Sequence, residues 1–155
     1  MLTRRSRPTL AATLLTVVLM AGCVDAGPRT AYCGPADPVV APAAPKPGSE
    51  LRVEVSAFVD ADGCEQNLPD GARYEIRLTS ERTAWDSAEG RYTETLGVLQ
   101  PDGAGEATGT LRLPDEVPPG GAEVSVDLTG AETICETDPT MQCAQHPFAW
   151  IDITG

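Results

Sequence analysis

The chain holds one lysine, Lys46, and one histidine, His146, among its 155 residues. A single imidazole excludes sites built from several. Met141, Cys143 and His146 lie close together, but a blue-copper centre takes two histidines beside its Cys and Met, so the ligand set is incomplete. Nucleophilic catalysis needs a base and an oxyanion site around the nucleophile, and no serine elbow accompanies His146. The chain is therefore read as no enzyme, with no catalytic residue, no metal and no cofactor. Aromatic residues are also few, with two Trp, three Tyr and two Phe, so the core they can build is small. Basic residues number 11 against 23 acidic ones, a formal net charge of −12. Neutralising phosphates takes clustered Lys or Arg, which excludes nucleic acid as a partner. Nor is there an apolar run of the roughly 20 residues that a transmembrane helix needs. Amphipathic helices are missing too: residues 81–89 are the one helical candidate, and they carry no apolar stripe.

What the chain does have begins at its N-terminus. Arg4, Arg5 and Arg7 precede an apolar stretch over residues 10–20 and the small-residue run Met20-Ala21-Gly22-Cys23. That order is a removable export signal. It resembles a bacterial lipoprotein signal peptide with its lipobox, Met20 standing where that family more often has Leu. The resemblance implies cleavage before Cys23, a lipid on the Cys23 thiol, and a position on the extracytoplasmic face of the bacterial cell membrane. The signal, residues 1–22, takes three basic residues and no acidic one with it, so the remainder is more acidic still. Its acids are scattered among Val, Ile, Leu, Tyr and Thr, as on solvated strand faces.

Four further cysteines, Cys33, Cys64, Cys135 and Cys143, read in an exported chain as two disulfides, for which the sequence allows three pairings. The Asp138-Pro139 turn between Cys135 and Cys143 favours joining those two, leaving Cys33 with Cys64. Proline recurs through residues 25–49 with many alanines, a composition suited to extended chain. Residues 23–46 are accordingly expected to be a tether and residues 47–155 a single domain. Asp60-Ala61-Asp62-Gly63 departs from a calcium loop and reads as an acidic turn.

Within the domain the apolar residues recur with period two. Leu51, Val53 and Val55 alternate with polar neighbours, as do Tyr74, Ile76 and Leu78, and Val124, Val126 and Leu128. Such alternation marks half-buried strands. Residues 91–99 and 106–113 are further candidates. In residues 148–153, Phe148 and Trp150 fall on one face and Ala149, Ile151 and Ile153 on the other, which predicts a strand covered on both sides. Turn clusters at residues 68–71, 101–103 and 114–121 separate these runs and point to an antiparallel β-sandwich. The succession Pro47-Gly48-Ser49, Leu96-Gly97, Asp102-Gly103, Leu113-Pro114 and Val117-Pro118-Pro119-Gly120 resembles the immunoglobulin-like modules of actinobacterial secreted and lipid-anchored proteins. That resemblance implies an all-β, immunoglobulin-like sandwich stapled by disulfides. The expected role is a lipid-anchored, monomeric surface module that binds or assembles with an envelope protein or polymer through Met141, His146 and Trp150. The alternative is an extracytoplasmic binding protein for a small solute or metal ion.

Overall fold

The computed structural model describes residues 30–58, 63–80, 91–138, 140 and 146–155. Among these lie seven strands and one short helix: β1 (Val39–Ala41), β2 (Glu50–Val55), β3 (Arg73–Ser80), β4 (Tyr92–Leu99), β5 (Ala107–Arg112), β6 (Gly120–Thr129), α1 (Ile134–Thr137) and β7 (Phe148–Ile153). They form two antiparallel sheets, one in the order β1-β2-β5 and the other β4-β3-β6-β7. The helical candidate at residues 81–89 lies outside the described residues.

Period two becomes a core because alternate side chains leave a strand on opposite faces. Leu51, Val53 and Val55 of β2 are buried, and they meet Tyr74, Ile76 and Leu78 of β3 and Ala122, Val124 and Val126 of β6 in one cluster. Ile151 and Ile153 add the contribution of β7. Tyr74 is fully buried, yet its hydroxyl donates to the Gly105 carbonyl at 2.8 Å, which keeps a polar atom inside the core satisfied. Gly105 sits at φ +74°, a conformation that costs a side-chain-bearing residue but not glycine.

The Pro/Ala-rich segment departs from the tether expected for it. Val39, Val40 and Ala41 pair with Glu54, Val53 and Arg52, and Pro38 and Pro45 are buried. The physical reason is that proline lacks only the donor. Three consecutive N–H-bearing residues between Pro38 and Pro42 suffice for a short edge strand, and prolines are tolerated at its ends. Beyond β1 the same segment crosses to the second sheet, where the Ala43 and Pro45 carbonyls accept from the N–H groups of Asp152 (2.9 Å) and Thr154 (2.8 Å). The folded domain thus begins well before Pro47.

The N-terminal end is fixed more firmly still. Cys33, buried, is disulfide-bonded to Cys64 with the two Cα atoms 4.9 Å apart, the pairing expected from the sequence. Its neighbour Tyr32 lies between two loops: Tyr32 N–H donates to Glu132 O, Ile134 N–H to Tyr32 O, and Cys33 N–H to Glu65 O. Cys135 is disulfide-bonded as well; its expected partner, Cys143, lies outside the described residues.

On the other side of the sandwich the edge strands β4 and β5 interlock through glycine. Leu99 of β4 lies over Gly109 of β5, and Leu111 of β5 over Gly97 of β4, where a Cβ on Gly97 would come within 2.8 Å of Leu111 Cδ2. Each leucine occupies the space a neighbouring side chain would have taken.

Two outcomes are expected. Cys64→Ser should lower stability by about 2–4 kcal/mol, because the bridge closes a loop of the unfolded chain, and thermal melting with and without reductant measures it. Burial, with the charge of Asp102 adding to it, pushes the Tyr74 hydroxyl up to about 12. A tyrosine in the unfolded chain releases its proton near about 10, so above that value the unfolded chain binds fewer protons than the folded one and stability falls as pH rises towards 12. Tyr74→Phe should remove that alkaline step, at a cost of about 1–2 kcal/mol for the orphaned Gly105 carbonyl.

Candidate functional site

Strands β4, β3, β6 and β7 turn one face to the core and the other to solvent. Across β6 and β7, Glu123 stands opposite Trp150 and Ser125 opposite Phe148; across β3 and β6, Thr79 stands opposite Glu123, Arg77 opposite Ser125 and Glu75 opposite Asp127. Strand β4 adds Thr93 beside Thr79 and Thr95 beside Arg77. Directly paired residues share a face, so these side chains form one outer array.

The middle of the array is held by Arg77. Its guanidinium lies 3.0 Å from a Glu75 carboxylate oxygen and 3.7 Å from Asp127. Thr95 Oγ1 donates to the same Glu75 oxygen at 3.2 Å. The hydrogen bonds from Arg77 and Thr95 hold the Glu75 carboxyl below its ordinary range, and Glu75 in turn raises Arg77. The network fixes the central side chains, because a guanidinium shared between two carboxylates has few competing arrangements.

Its border is aromatic. Trp150 is 52% exposed and Phe148 36%, and their rings meet edge to face at 89° with centroids 5.8 Å apart. This corrects the expectation that β7 is covered on both sides. The inward face is supplied by Ile151 and Ile153, with Ala149 partly covered, and no element of the described residues lies over the outward one. Two apolar faces in sequence do not require two covering layers, since the edge of β7 is sealed from the side instead, by residues 43–45 and by Asp37, whose carboxylate accepts from Phe148 N–H at 3.1 Å.

The expected interaction loop is only partly within reach. His146 is exposed just before β7, while Met141 and Cys143 lie outside the described residues. The same holds for the acidic turn at residues 60–62. In the loop after β6, Glu136 accepts from the Thr133 N–H at 2.7 Å and from its hydroxyl at 3.1 Å, capping α1. The short loop between β4 and β5 is set by Asp102, whose carboxylate accepts from the N–H groups of Ala104 and Glu106; those bonds hold its carboxyl below the ordinary range.

Thr79, Thr93, Thr95, Arg77, Glu123, Ser125 and Asp127 did not stand out in the sequence as members of a site. The signal was present, because each occupies the polar phase of an alternating strand, but only pairing shows which polar residues are neighbours. Comparison with family models, curated proteins and solved structures finds no match to this chain.

If the aromatic pair is surface and not core, Trp150→Ala should change stability by no more than about 0.5 kcal/mol. Ile151→Ala, one residue on and buried, should cost about 2–5 kcal/mol. Chemical denaturation of the two variants measures the contrast.

Proposed function

We propose that the protein is a non-enzymatic binding module of immunoglobulin-like type, held on the extracytoplasmic face of a bacterial membrane by a lipid on Cys23. The observation that carries the binding role is the Phe148 and Trp150 pair, two large rings in edge-to-face contact and open to solvent on the outer sheet face. The immunoglobulin-like reading draws support from connectivity. A first strand shared between the sheets, the second and fifth strands in one sheet, and the third, sixth and seventh in the other are arranged as in such sandwiches.

The anchor reading rests on the arginines, the apolar run and Met20-Ala21-Gly22-Cys23. It is consistent with where the chain enters the domain. Tyr32 and Cys33 are fixed between the loop that follows β2 and the loop that follows β6. About ten residues separate Cys33 from Cys23, and a fully extended chain of that length spans at most about 35 Å. A lipid on Cys23 would therefore keep this end of the sandwich close to the bilayer, with the outer sheet face standing to one side and free for a partner.

Cross-linking on intact cells tests the role: a tagged protein is expected to capture a reproducible envelope component, and capture of none would reject the binding module. The anchor has its own check. Cys23→Ser should release the protein to the medium or leave an unprocessed precursor, and a variant still processed and membrane-bound would reject the lipid.

A further inference from the structure

Charge limits what can cover the outer face of the four-stranded sheet. The face carries Glu75, Glu123, Asp127 and Asp152 against two cations, Arg73 and Arg77; Arg77 is already engaged by Glu75 and Asp127, and Arg73 stands at the start of β3 opposite Thr129, away from Trp150. A polyanion meets net repulsion there. So does a second copy of the same face, which would set carboxylates against carboxylates. The acidic excess of the whole chain, −12, acts in the same direction at longer range.

The position of the free carboxylates narrows the choice further. Glu123 is directly opposite Trp150 across the ladder, and Asp152 follows Trp150 by two residues on the same strand face. Neither has an ion pair among the described residues. An indole half open to solvent and flanked by two unpaired carboxylates is the chemistry that attracts a cation, the ring quadrupole drawing it to the face and the carboxylates supplying charge. The edge-to-face geometry matters here. With planes at 89°, Phe148 and Trp150 do not offer the coplanar platform on which successive flat rings of a neutral polymer would stack.

We infer that this face docks a basic polypeptide segment, with a Lys or Arg side chain seated over Trp150 between Glu123 and Asp152. The inference rests on the reading of the protein as a binding module and gives that module a partner chemistry. Thr79 and Thr93, in the same row as Glu123, and Ser125, in the row of Phe148, offer hydroxyls to the rest of the segment.

The test is titration of the purified protein with a short Lys/Arg peptide, its Glu-substituted counterpart and a neutral glucan oligosaccharide, followed by calorimetry. Binding of the basic peptide alone is expected, weakening severalfold or more as salt rises from about 0.05 M to about 0.5 M. Trp150→Ala should weaken it about tenfold and Trp150→Leu nearly as much, since leucine keeps apolar area but no quadrupole. Glu123→Gln should weaken it about threefold. Glu50→Gln, which removes an equal charge from β2 in the other sheet, should leave it unchanged. Equal losses in Glu50→Gln and Glu123→Gln, or unchanged affinity in Trp150→Ala, would reduce the effect to net charge and overturn the site. Oligosaccharide binding without peptide binding, or binding of neither, would overturn the inference. Because the titration uses no cells, its failure leaves capture of an envelope component by cross-linking as a separate result.

Discussion

A sandwich of two small sheets has to close its sides. Each sheet ends in strands whose outward N–H and C=O groups have no ladder partner, and between the sheets the seam opens to water along both flanks. This chain closes one flank with a segment that belongs to both sheets and the other with leucines seated over glycines. On the first flank β1 pairs with β2, and the residues after it present carbonyls to β7. On the second, Leu99 over Gly109 and Leu111 over Gly97 draw β4 and β5 together across the gap. The buried cluster of Leu, Val, Ile and Tyr74 depends on both closures, because with either flank open its border residues would be wet.

Alternation made the layers legible in the sequence. Leu51, Val53 and Val55, Tyr74, Ile76 and Leu78, and Val124 and Val126 point inward as their spacing requires, and the Cys33–Cys64 bridge follows from the turn between Cys135 and Cys143. What alternation does not carry is sideways information. The spacing of Phe148, Trp150, Ile151 and Ile153 shows two apolar faces and does not say which of them has a neighbour. A proline-rich run likewise reads as unstructured when judged by donors alone. Its carbonyls are intact, and an edge strand such as β7 needs acceptors on that side. The candidate site was hidden for the same reason: Glu123 and Trp150 are 27 positions apart in the chain and become neighbours only through the β6–β7 register.

The acidic surplus has a division of labour. Some carboxylates are structural fittings: Asp102 ties its own turn, Glu136 caps α1, Asp37 holds the Phe148 amide, and Glu75 and Asp127 fix Arg77. Others, Glu123 and Asp152 among them, are tied to no cation among the described residues and project charge. A face on which a rigid polar network adjoins uncommitted carboxylates and open aromatic rings combines fixed geometry with unspent attraction, the two things recognition asks of a surface.

The Cys33–Cys64 bridge also decides how the domain bears load. Chain on the N-terminal side enters at Cys33, and the short β1 ladder of three register pairs comes after it. Tension arriving from that side does not reach β1 first. It passes through sulfur to Cys64, in the connection that leads from β2 of one sheet to β3 of the other, and so is shared between both layers at once. Peeling, the mode by which edge strands yield most easily, is taken out of the force path, and the shortest ladder among the described strands is shielded by a covalent bond.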